Sequence, residues 1–160
     1  MDASAVKSGD RLYGITVLNK QRGLKICSKA VSIFCSQLLQ SLEQSYRALS
    51  IVFVADQEIL LMNSRYRGKS GITDVLSFSY GGVKIDGIPF LGEIVIAPAV
   101  AVRNAKRYGT VPEKEIRKLL IHGTLHLLGY DHEVDKGQMR LIQAKLVRRK
   151  FFRSSPAIMP

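Results

Sequence analysis

His122-Gly-Thr-Leu-His126-Leu-Leu-Gly129-Tyr-Asp-His132 is the stretch on which the fold and its chemistry turn, because it holds all three histidines of the 160-residue chain. The first two lie at i and i+4 in a segment of helical periodicity, so both imidazoles project from one helix face about 6 Å apart. Two rings so placed reach one Zn²⁺ at about 2.0–2.1 Å. A continuing helix would turn the third histidine about 240° away and carry it some 9 Å along the axis. Gly129 stands where a glycine ends a helix in the left-handed conformation, letting the chain fold back and present His132. The spacing H-x3-H-x5-H with a glycine at the break matches long zinc-hydrolase motifs. A lone helical histidine is more often packed or solvated, and i,i+4 pairs arise by chance. Three of three histidines in this spacing single out His122, His126 and His132 as metal ligands. Three protein ligands leave a fourth position for water, as in catalytic zinc sites. Asp131 either hydrogen-bonds a ligand imidazole or caps the turn.

The residue after the first histidine narrows the chemistry. Zinc peptidases carry glutamate there as general base for the attacking water. This chain has Gly123, whose small size equally suits close helix packing, so the peptidase reading loses its base.

A second stretch, Asn63-Ser-Arg65-Tyr66-Arg67-Gly68-Lys69-Ser-Gly71, puts three cations and two glycines into nine residues ahead of a strand. Guanidinium groups hold phosphate bidentately and offset charge developing on it. Basic loops are commonly plain solvated surface, so this signal is weak without the histidine cluster. The C-terminal segment adds Lys145, Arg148, Arg149, Lys150 and Arg153, a candidate nucleic-acid patch that a helix dipole would favour in any case.

Outward from these motifs, Leu12–Leu18 reads as a first strand, and Ser28–Leu42 as an amphipathic helix. Cys27 and Cys35 fall in this helix and read as buried thiols. Leu49–Val54 is an apolar run suited to a strand covered on both faces. Asp56 is placed to cap a helix reaching Tyr66. Asp74–Tyr80 alternates as a half-buried strand, Asp86-Gly87 signals a turn, and Gly92–Ile96 is a further strand. Helical segments are expected at Pro98–Tyr108, Pro112–Leu128 and Glu133–Phe152. Helices around a small group of strands, without strict βαβ alternation, make the fold class α+β. One domain over residues 1–160 is expected, with loose ends at 1–10 and 154–160.

The composition agrees. Hydrophobic residues at 46% against 23% charged exclude a disordered chain. Lys+Arg 24 against Asp+Glu 13 leaves +11, which favours a polyanionic partner, nucleic acid or an anionic surface. No apolar run approaches a membrane span, and the N-terminus lacks a signal-peptide core, so the expected location is cytoplasmic and no membrane partner is expected.

HGTLHLLGYDH, preceded by NSRYRGKSGITDVLSF and LGEIVI, closely resembles the YbeY-type endoribonucleases, zinc-dependent RNA maturation factors, over about residues 49–146. The resemblance implies a single zincin-like α+β domain, a small mixed sheet packed with helices, with the metal site on a central helix and the turn after it. It implies cleavage of single-stranded RNA in 16S rRNA 3′-end maturation and ribosome quality control, with ribosomal proteins or assembly factors as partners. Carried over by position, His122, His126 and His132 hold one Zn²⁺, and Arg67 matches the arginine important for activity. The family often has Asp at Glu93, Pro at Ser79 and an acidic residue near Gln143. Two other readings stand beside it: a non-catalytic ribosome-assembly factor with a structural zinc, and a metal-dependent peptidase. The residues leave open whether water or the RNA 2′-hydroxyl is the nucleophile, and three imidazoles and a water also suit other late first-row metals.

Overall fold

The computed structural model describes Arg11–Leu12 and residues 14–160; the expected loose end at 1–10 lies outside the described residues. The strands are β1 (Arg11–Leu12), β2 (Ile15–Asn19), β3 (Ala48–Phe53), β4 (Val75–Ser79), β5 (Lys84–Ile85) and β6 (Ile88–Ile96). The helices are α1 (Ser28–Ser41), α2 (Asp56–Arg67), α3 (Pro98–Tyr108), α4 (Pro112–Leu127), α5 (Gln138–Val147) and α6 (Lys150–Ser154). The sheet runs β1-β2-β3-β6-β4, with β5 hairpinned onto β6. β2, β3 and β6 are mutually parallel, whereas β1 and β4 run antiparallel to their neighbours. This mixed sheet with helices bears out the α+β expectation.

Alternation along the central strands divides the core in two. Leu49, Ile51 and Phe53 of β3, with Ile94 and Ile96 of β6, pack under α1 and α4 together with α5, α6 and the C-terminus. Val52, Val54 and Val95 point the other way and pack against Ile59 of α2 and Leu76 of β4. The near-continuous apolar run of β3 is therefore a strand buried on both faces.

Several expected elements are redrawn by tertiary structure. The strand expected over Leu12–Leu18 breaks at Gly14, whose φ of +77° turns β1 back against β2. Asp56 is not the cap of α2. Ala55 holds that position, and the Asp56 carboxylate instead accepts from Arg103 at 2.7 Å. Cys35 is buried on α1 as expected, but Cys27 precedes the helix and is only half-buried. The expected helix over Glu133–Phe152 is two helices. α5 starts only at Gln138, after a turn in which the Asp135 carboxylate accepts from the N–H groups of Gly137 and Met139. The chain is extended again at Arg149, which lets Phe152 reach Phe34 in the core.

Residues 154–160, expected to be loose, are docked. Ile158 is fully buried, and its carbonyl accepts from Cys27 N–H at 2.8 Å. The Glu113 carboxylate accepts from the N–H groups of Ile158 and Met159, at 2.9 and 2.8 Å. Buried Arg117 pairs with the same carboxylate at 2.7 Å and donates to the carbonyls of Phe152, Ser155 and Pro156. A buried charge is tolerable only when its donors are satisfied in this way. The segment carries no helical or strand period, so its docking leaves no mark in local sequence.

The fit of α4 on the sheet explains Gly123. A Cβ at this position would stand 2.8 Å from Ile94 Cγ2 on β6. Gly123→Ala gains roughly 1 kcal/mol of helix propensity but overpacks a closed core, at about 1–3 kcal/mol. Thermal unfolding is expected to show a net loss of up to about 2 kcal/mol. A raised melting temperature would contradict this packing.

Glu93 on β6 is half-buried beside Ser50 of β3, whose hydroxyl lies 3.4 Å from its carboxylate. Burial, which disfavours the charged form, pushes its carboxyl above the usual range, partly opposed by Ser50 and Lys20. A raised acid contributes stability that is present below its ordinary pKa, about 4.3, and lost as pH rises through the folded value. Glu93→Gln is therefore expected to unfold at a higher temperature than the parent at neutral pH, with the difference vanishing in acid. A variant less stable at neutral pH would reverse the sign.

Candidate active site and metal centre

α4 supplies the rigid element of the site. Its sheet-facing residues, among them Ile116, Leu120 and Ile121, are fully buried, which fixes the helix rotation and turns His122 and His126 toward a cleft. The helix ends as the sequence predicts. Gly129 has φ +96°, its N–H donates to His126 O at 3.0 Å, and Tyr130 N–H donates to Leu125 O at 3.1 Å. This pair of bonds is the Schellman arrangement, which closes the helix and reverses the chain. Asp131 then caps the turn, its carboxylate accepting from Glu133 N–H at 2.9 Å, which resolves the two readings left open for it.

The reversal brings His132 back to the other two. One nitrogen from each of His122, His126 and His132 lies within 4.8 Å of the others, and ring centroids are 4.6–5.2 Å apart. His122 Nε2 and His126 Nε2 are 3.1 Å apart. Two nitrogens bound tetrahedrally to one ion at about 2.05 Å would be roughly 3.3 Å apart, so the His122–His126 pair has the spacing of two ligands on one zinc-sized cation. Burial, the largest influence, pulls the His122 imidazole below its ordinary value, favouring the neutral form that metals require.

The sequence reading placed Gln143 only among departures from the family pattern and gave it no role. The structure brings its amide oxygen within 3.2 Å of His122 Nδ1. An amide oxygen only accepts, so Nδ1 carries the proton and Nε2 keeps its lone pair toward the other histidines. Losing such a partner typically costs 10- to 100-fold in metal affinity. Gln143→Leu is expected to weaken zinc binding by about that factor in a competition titration with a chromogenic chelator. Affinity equal to the parent's would show that the contact orients nothing.

The cleft in front of the histidines is bordered by β4 and by the end of α2. β4 lies at the edge of the sheet, pairing among the described residues with β6 alone, and its Ser77 hydroxyl donates to Gly123 O at 3.2 Å, tying strand to metal-site helix. α2 ends at Arg67 because Gly68 takes the left-handed conformation, with φ +63°. The loop beyond is held by the buried Asn63, whose side-chain amide donates to Gly71 O at 2.9 Å. Arg67 and Lys69 thus line the same cleft as the three histidines, although the two motifs are more than fifty residues apart in sequence. Arg67 is exposed, and its side chain makes no hydrogen bond or ion pair among the described residues.

The arrangement defines a candidate metallohydrolase site with an exposed arginine in its cleft and without the peptidase glutamate. Comparison with known proteins places it in a family. A family model described as Endoribonuclease YbeY matches residues 16–150. The protein of Thermodesulfovibrio yellowstonii named Endoribonuclease YbeY is 35% identical over 150 residues, covering 83% of this chain and 94% of that one. The protein of that name from Aquifex aeolicus is 38% identical over 117 residues, covering 73% of this chain and 77% of its own. The solution structure of TM1509 from Thermotoga maritima is similar with a TM-score of 0.58 at 30% identity, over 83% of this chain and 86% of that one. The chain belongs to the endoribonuclease YbeY family.

Proposed function

We propose that this chain is a single zinc-dependent endoribonuclease domain, specific for single strands, acting in 16S rRNA 3′-end maturation and ribosome quality control. Its relatives are named endoribonucleases, and a metal-dependent hydrolase acting on RNA phosphodiesters is the activity that follows. The observation that carries the reading is the meeting of His122, His126 and His132 with Arg67 and Lys69 in one open cleft. A zincin-like classification fits a histidine-bearing helix packed beneath a sheet whose antiparallel edge strand borders the cleft. A cytoplasmic location accompanies a ribosomal substrate, and among the described residues no helix is long and apolar enough to cross a membrane.

A bound zinc ion supplies Lewis-acid polarisation of a phosphoryl oxygen and activation of water. The protein's own work lies in placement. Gln143 fixes the His122 tautomer, and the Gly129 reversal sets His132 against the helix. Arg67 would hold the scissile phosphate and offset the charge that grows on its oxygens. The position next to the first ligand holds no base, and Ile94 leaves no room there for one.

A direct choice between substrate classes tests the proposal. The purified, metal-loaded protein is expected to cut RNA and to leave generic peptide substrates intact. Turnover of peptides with intact RNA would overturn it in favour of the amide-hydrolase reading.

A further inference from the structure

An endonuclease acts within a strand, so its substrate must continue on both sides of the bond that breaks. Arg67 and Lys69 account for one side of the metal centre. On the other side, His122 and His132 also form the wall of a second groove, between α4 and α5. Its floor is apolar, made by Met139, Ala144 and Val147, and its rim carries Lys118, Arg140 and Arg148. Such a pairing suits nucleotides, whose bases and sugars rest on an apolar floor while phosphates meet the rim.

The cations follow the groove outward. His122, Lys118 and Lys114 stand at successive four-residue steps on α4, each about 6 Å along the axis. Beyond Arg148 the groove opens into another hollow that carries Lys114 and Arg153. The acids nearby are already engaged. Glu113 is taken by Arg117 and by the N–H groups of Ile158 and Met159. Glu115 lies 3.6 Å from Lys118, a long, partly buried contact that leaves the ammonium free to meet a phosphate as well. Arg140 and Arg148 have no acidic partner among the described residues.

We propose that the groove between α4 and α5 is a second RNA-binding site, holding the nucleotides that flank the scissile phosphate on the side away from Arg67. The inference rests on the endoribonuclease reading and adds the strand's path across the metal centre. Single-stranded RNA is the occupant, since its unpaired bases are free to rest on the apolar floor, whereas a duplex keeps its bases stacked inside.

The test compares the metal-loaded wild type with a double variant, Lys118→Gln with Arg148→Gln, and a control, Lys106→Gln with Arg107→Gln on α3. Binding of a labelled, 2′-O-methylated single-stranded oligonucleotide is followed by anisotropy across a salt series, and cleavage of the unmodified RNA is scored in parallel. The groove variant is expected to bind at least about tenfold more weakly. Its log–log salt slope should be shallower by roughly 1.4, about 0.7 for each lost phosphate contact. The control should keep the wild-type slope. Equal losses in groove variant and control would reduce the effect to overall charge and overturn the proposal. A wild type that cuts RNA, with a groove variant binding as tightly, would overturn the groove and leave the nuclease reading standing. A wild type that neither binds nor cuts would overturn both.

Discussion

Arg67→Ala is expected to lower RNA cleavage by about 10²- to 10³-fold while leaving the melting temperature unchanged. The rate effect follows from removing a charged donor aimed at the developing phosphate charge, which in comparable sites costs that much. The thermal half follows from the structure. Arg67 is exposed at the last turn of α2, and its side chain makes no hydrogen bond or ion pair among the described residues. The loop that positions it is held by Asn63, Gly68 and Gly71, none of which the substitution touches. Arg67→Lys should recover only part of the rate, because an ammonium lacks the planar fork that grips phosphate at two oxygens. Function in cells left intact by Arg67→Ala, with thermal stability lowered by His126→Ala, would point instead to a non-catalytic assembly factor whose zinc is structural.

His126→Ala has the other large effect, and it separates metal from fold. His126 provides one of three nitrogens converging within 4.8 Å, so its loss leaves two ligands on elements that cannot close the gap. Zinc affinity should fall by more than the 10- to 100-fold expected for a hydrogen-bonded partner such as Gln143, and cleavage should vanish with it. A ligand that binds only the folded state raises stability by about 2.7 kcal/mol at one hundred times its Kd. Added zinc is therefore expected to raise the melting temperature of the parent and not that of His126→Ala. The variant should still fold, because the buried face of α4 does not include His126. Parental cleavage by His126→Ala would remove the histidine cluster from the chemistry.

The histidine site was legible because its information is local. The i,i+4 pair, the glycine at the helix end and the third histidine lie within eleven residues, and helix geometry alone brings them together. The central strands were legible for a similar reason, since Leu49, Ile51 and Phe53 alternate with Val52 and Val54 and are buried on opposite faces. What the sequence concealed depends on partners far along the chain. Asp56 has the chemistry of a helix cap, but Arg103, forty-seven residues later, takes its carboxylate. The last residues look like a loose end until Glu113 and Arg117 supply partners for their backbone. Gln143 has no motif of its own, and only the crossing of α5 over α4 puts its amide against His122. Gly123 was read both as the absence of a base and as room for close packing, and only the fold names the packing partner, Ile94.

The most direct measurement is cleavage of an end-labelled RNA carrying both a hairpin and a single-stranded tail. The purified protein is compared with a chelator-treated sample and with the same sample resupplied with zinc. The account predicts cuts in the tail alone, lost on chelation and restored by the metal. An intact RNA with folded, zinc-loaded protein, or cleavage that survives complete removal of metal, would contradict it.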